Sequence, residues 1–131
     1  GLGDVYKRQS HMDLCPLYED CAFLEAWPGV PVGNEEGEII TAALGDKRAI
    51  LLSHHGQLST GASIEEACVI AQLIERAAKL QLLAMSAGTI KPILPELGRE
   101  AHDWISKPKR HGAAFNYYAR QNLRKHADCL N

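Results

Sequence analysis

Ile50-Leu51-Leu52-Ser53-His54-His55-Gly56-Gln57-Leu58 is the stretch on which the fold turns. Residues 48–53 form a short apolar run between turn signals, which reads as a buried strand. Two imidazoles and a glycine follow where that strand ends. A side chain at a strand's end is held rigidly while its tip faces a cleft, the placement a metal ligand needs. His55 is therefore the candidate metal ligand. Its neighbour His54 points the opposite way if the strand stays extended, which assigns it to packing.

On the N-terminal side, Ile39, Ile40, Ala43 and Leu44 recur at helical spacing behind a cluster of acids, predicting a helix over 35–44 that stops at Gly45. Residues 57–60 continue the strand or return as its hairpin partner. Further upstream, residues 14–34 mix prolines and glycines with apolar residues and read as irregular connection. A helical turn is expected around 17–24 and a short strand over 30–32.

On the C-terminal side, Ser63 and Glu66 form an S-x-x-E capping box that opens a long helix. Ala67, Ile70, Ala71, Ile74, Ala77, Ala78 and Gln81 recur at three and four, carrying it to Ala87 with Gly88 as its stop. The apolar coverage is wide, so burial on more than one side is expected, against the sheet and a neighbouring subunit. Pro95 suits the first turn of a helix over 96–106. Pro108 breaks the chain, and a last helix is predicted over 112–126.

The 131 residues suffice for one domain with a core. A formal charge of −2 gives no electrostatic case for nucleic acid or an anionic membrane. No apolar stretch approaches the ~20 residues a membrane helix requires. The four cysteines lack any C-x-x-C pair, so no structural zinc cluster or redox motif is indicated. Cys68 reads as a buried free thiol. With no secretory leader pattern, reduced cysteines and a cytoplasmic protein are expected.

Gly1-Leu2-Gly3-Asp4-Val5-Tyr6-Lys7-Arg8-Gln9 has neither periodicity nor a targeting pattern, and resembles translated sequencing-adapter sequence. Residues 1–9 are accordingly expected to be a non-native tail, and 10–131 the C-terminal portion of a single domain. The alternatives are a mobile tail or a cloning remnant, which Ser10-His11-Met12 also suggests.

With these residues, Leu44-Gly45-Asp46-Lys47-Arg48-Ala49-Ile50-Leu51-Leu52-Ser53-His54-His55-Gly56, running on through Thr60-Gly61-Ala62-Ser63-Ile64-Glu65-Glu66-Ala67, resembles the class II aldolase/adducin family. The resemblance covers the middle third of the chain; residues 11–44 resemble the preceding part of the family, and the C-terminal stretch matches only loosely. It implies an α/β fold of three layers, α/β/α, with a mostly antiparallel sheet, here incomplete at its N-terminus. It also implies a homotetramer and a divalent metal, usually zinc, held by three histidines. The third of these is the histidine of the H-G pair, His55. The other two form an H-x-H pair, which this sequence lacks, and the family's proton-transfer acid also lies upstream of the segment represented. Where some members place a tyrosine after the histidine matching His11, this chain has Met12.

Three neutral imidazoles leave zinc with open positions and its full charge, suited to stabilising an enediolate. Aldol cleavage, epimerisation, dehydration and decarboxylation of small hydroxy-carbonyl or sugar-derived substrates all fit. The competing reading is a non-catalytic interaction domain like the adducin head. His11 and Asp13 are candidate substrate contacts. Tyr117 and Tyr118, which some members use at a neighbouring subunit, are assigned to packing. His102, His111 and His126 lie among charged residues and are expected to be solvated. Glu65, Glu66 and Glu75 are expected to serve a helix cap and a polar face.

Overall fold

The computed structural model describes residues 9–26, 29–30 and 33–130, with side chains through residue 128. A 3₁₀ segment, Met12–Leu17, leads into strand β1, Cys21–Leu24. Helix α1, Glu35–Leu44, is followed by strands β2, Ala49–Leu52, and β3, Gly56–Ser59. Helices α2, Ile64–Ala87, α3, Pro95–Ile105, and α4, Pro108–Lys125, complete the fold, with a last 3₁₀ turn at Ala127–Leu130.

The sheet has the order β1-β2-β3 and is mixed. β1 runs parallel to β2 from Cys21↔Ala49 to Leu24↔Leu52, and β2 runs antiparallel to β3 from Ala49↔Ser59 to Leu52↔Gly56. The parallel pair requires a crossover, which α1 provides. Residues 57–59 are thus the hairpin partner rather than an extension of β2.

Alternation along the strands divides the interior. Cys21, Phe23, Ala49 and Leu51 face α2 and the first 3₁₀ segment, joining Leu14, Leu17, Ile70, Ile74 and Ala77 in one core. Ile50 is fully buried but points to the other side, where α1 packs on β1 and β2. The α2 stripe at 70, 74 and 77 continues to Gln81, which is also fully buried. Its Oε1 accepts from Ser10 Oγ at 3.4 Å, while its Nε2 is enclosed without a partner. α3 lies on the first 3₁₀ segment and α4 on α2. Gln9 is buried, and its carbonyl accepts from Ile93 N at 2.9 Å.

The capping box forms with one shift. Ser63 Oγ accepts from Glu66 N at 3.2 Å, but Glu66 Oε2 reaches back to Ala62 N, at 2.8 Å, rather than to Ser63. Two expectations need correction. The helical turn around 17–24 is absent: the 3₁₀ segment ends at Leu17, and residues 21–24 pair with β2 instead. Long-range pairing outweighs local pattern there. The last helix starts at Pro108, not 112, because proline at the first helical position gives up an N–H that has no intrahelical partner anyway. The expected strand over 30–32 lies largely outside the described residues. No described helix is long and apolar enough to cross a membrane.

Candidate functional site

The hairpin turn 53–55 places the two imidazoles. Leu52 C=O accepts from His55 N at 3.1 Å, and Leu24 C=O accepts from Ser53 N at 3.0 Å, so the turn is tied to both parallel strands. His54 takes the left-handed conformation at φ 60°, and Gly56 has φ 152°. A three-residue hairpin loop needs such a residue to reverse the chain. The strand does not stay extended through His54, which is exposed rather than packed.

The His55 side chain is 52% exposed. Its Nδ1 stands 3.6 Å from Oε1 of Glu36 in the first turn of α1. That carboxylate oxygen is sealed from solvent and has no hydrogen-bond partner. Glu36 also lines a shallow depression along α1, together with Asn34, Gly37 and Thr41.

His11 and Asp13 lie at the start of the first 3₁₀ segment. His11 caps the 3₁₀ segment, its Nδ1 accepting from Asp13 N at 3.1 Å. Asp13 Oδ2 pairs with Arg76 Nη2 of α2 at 2.5 Å. Among the described residues, no group of three or more His, Cys, Asp or Glu side chains is arranged to hold a metal.

The densest polar cluster is at the other end of β2, and sequence reasoning missed it. Arg48 pairs with Asp20 and, at 3.1 Å, with Glu66 Oε1. Its Nη2 also donates to Ser106 Oγ at 3.1 Å. His102 Nε2 lies 3.2 Å from Asp20 Oδ2, and His111 Nδ1 lies 3.2 Å from Glu66 Oε1, although the latter pair is not aligned for a hydrogen bond. His102 and His111 are therefore not solvated: His111 is buried and His102 mostly so. Burial pulls the Asp20 carboxyl up, but hydrogen bonds from His102 and Arg48 outweigh it and leave it below its ordinary value. Glu66 follows the same balance, burial opposing hydrogen bonds from Ala62 and Arg48 that leave it lowered. The hydrogen bond to Asp20 raises His102. Every charge here has an opposite partner, which is the signature of a structural lock. The signal that could have found it is Asp20 and Arg48 standing immediately before two apolar runs.

Glu75 pairs with Lys79 on the exposed face of α2, as expected of a polar face. Cys15 and Cys21 are buried free thiols, while Cys68 is only half-buried. Tyr117 and Tyr118 pack edge to face on α4.

Residues 8–82 match the Class II Aldolase and Adducin N-terminal domain. The chain belongs to the class II aldolase and adducin family. It is 32% identical over 87 residues to 4-hydroxy-3-prenylphenylpyruvate oxygenase/4-hydroxy-3-prenylbenzoate synthase of Streptomyces roseochromogenus subsp. oscitans, an alignment covering 66% of this chain and 31% of that protein. It is 33% identical over 67 residues to rhamnulose-1-phosphate aldolase of Listeria monocytogenes serotype 4a (strain HCC23), covering 51% of this chain and 24% of that one. L-fuculose 1-phosphate aldolase from Glaciozyma antarctica PI12 superposes with a TM-score of 0.78 at 24% identity, over 98% of this chain and 50% of that structure. This member of the class II aldolase family thus spans about a third or less of these two relatives, and its α/β fold is that of the solved aldolase.

Proposed function

We propose that this chain contributes His55 as one metal ligand of a class II aldolase-like lyase acting on small hydroxy-carbonyl or sugar-derived substrates. The carrying observation is the geometry of His55, an exposed imidazole fixed by a turn bonded to two strands and backed by a buried carboxylate oxygen. That donor fits a divalent cation such as zinc, and further histidines would complete the set. When bound, the cation supplies the positive charge that stabilises an enediolate. The reading is supported by the relatives, which include a rhamnulose-1-phosphate aldolase and a 4-hydroxy-3-prenylphenylpyruvate oxygenase.

The chain's own residues set the rest of the proposal. β2 and β3 hold the turn in place, so the imidazole is presented without a loop having to order first. His11 and Asp13 are proposed substrate contacts, the Asp13 carboxylate being fixed by Arg76. Apolar side chains left exposed on α2, Leu82 and Leu83, suit contact with further copies in a homotetramer.

Titration with Mn²⁺, followed through the histidine ring signals by NMR, tests the ligand. The His55 resonances are expected to broaden at lower Mn²⁺ than those of His11, His54 or His126. Broadening that leaves His55 for last would overturn the reading.

A further inference from the structure

We infer that Glu36 is the positioning residue that fixes the ring orientation and tautomer of His55, holding the proton on Nδ1 and leaving the Nε2 lone pair outward. A buried carboxylate oxygen with no donor is unfavourable, because it has given up its water without gaining a partner. Glu36 Oε1 is in that condition, and the partner the structure gives it is His55 Nδ1, at 3.6 Å. This separation is longer than a hydrogen bond and within ion-pair distance. A carboxylate behind an imidazole selects the ring orientation and the tautomer.

Helix-end electrostatics alone does not account for Glu36. Acids in the first turn of a helix are favourable, but Glu35 and Glu38 occupy the same turn and are exposed. Only the middle acid of the three is turned inward, its side chain 16% exposed against the 52% of His55. The inference rests on the metal-ligand reading only for the use made of Nε2; the tautomer itself is independent of any metal.

Long-range ¹H–¹⁵N correlation spectra of the full chain, recorded at alkaline pH where imidazoles are neutral, report the tautomer of each histidine. A His55→Asn variant assigns the signals. The wild type is expected to show His55 predominantly as Nδ1–H. Glu36→Gln, which keeps an acceptor oxygen, should retain that form, and Glu36→Ala should pass to the Nε2–H form that an unpartnered imidazole prefers, with helical content unchanged by circular dichroism. A purely structural role for Glu36 would leave the His55 tautomer unmoved in Glu36→Ala, and that result overturns the inference. So does a wild-type His55 found as Nε2–H, which decides the matter even if the alanine variant does not fold. Because no metal is present, failure here is separable from failure of the Mn²⁺ titration.

Discussion

Asp20 holds Arg48 twice: its Oδ1 accepts from the Arg48 backbone N at 2.9 Å, and its Oδ2 from Arg48 Nε at 2.5 Å. One carboxylate at the start of β1 thereby fixes both the main chain and the side chain at the start of β2, where the parallel register begins. Asp20→Ala strips both bonds and leaves a mostly buried guanidinium with Glu66 as its one remaining carboxylate partner in the cluster, beside the neutral Ser106 hydroxyl. Removing one member of a partly buried pair costs about 2–3 kcal/mol. Urea unfolding should show that loss, and a change within experimental error would refute the lock.

The same cluster sets the pH dependence of stability. His102 is raised above 6.5, first by its hydrogen bond to Asp20, against burial, and then by Asp103. The folded state binds that proton more tightly, so the stabilisation is complete below 6.5 and drains away as pH rises through the folded value. For Asp20, burial acts upward but the His102 and Arg48 bonds prevail, and the group sits below 3.8. Its contribution is present above 3.8 and lost as pH falls through the lower folded value. Stability is therefore expected to be greatest between 3.8 and 6.5 with respect to these two groups. Denaturation midpoints across pH should lose their alkaline decline in His102→Gln; an unaltered decline would count against the assignment.

Gly98 is where α3 touches the ring of Tyr18. A Cβ there would lie 2.6 Å from Tyr18 Cδ2 and 2.7 Å from Cε2. Gly98→Ala should destabilise by about 1–3 kcal/mol through overpacking. In a Tyr18→Ala background the same change should become neutral or favourable, since alanine outranks glycine in a helix by about 1 kcal/mol. Thermal unfolding of the four variants in a double-mutant cycle measures the coupling, and additive effects would deny the contact.

Zinc binding by the chain alone should be weak and non-stoichiometric, because the described residues give His55 no group of three ligands. Turnover of a hydroxy-ketone in the presence of zinc should likewise be undetectable. Isothermal titration calorimetry returning tight one-to-one binding would contradict this.

Much of the frame was legible because its signals are local. The helix over 35–44 with its glycine stop, the apolar strand before Ser53, and the capped helix ending at Ala87 each carry their own punctuation. β1 was not legible, since Cys21–Leu24 becomes a strand only by pairing with residues 28 positions on. His102 and His111 were misread for the same reason. Their partners, Asp20 and Glu66, are 82 and 45 positions away, and a run of neighbouring charges gives no hint of them. His54 is exposed and not packed because its left-handed backbone reverses the chain where an extended strand would carry it inward. The position of His55 was legible from the strand's end, but Glu36 behind it was seen only as a helix-start acid.

β2 is four residues long, with Arg48 just before it and His55 three residues after its end. The charged clasp and the presented imidazole are thus segregated to opposite poles of one short strand. Substitutions around the turn can accumulate without eroding the clasp that keeps the chain folded. Such a division makes the scaffold evolvable: selection can retune reactivity at one pole while the other preserves foldability.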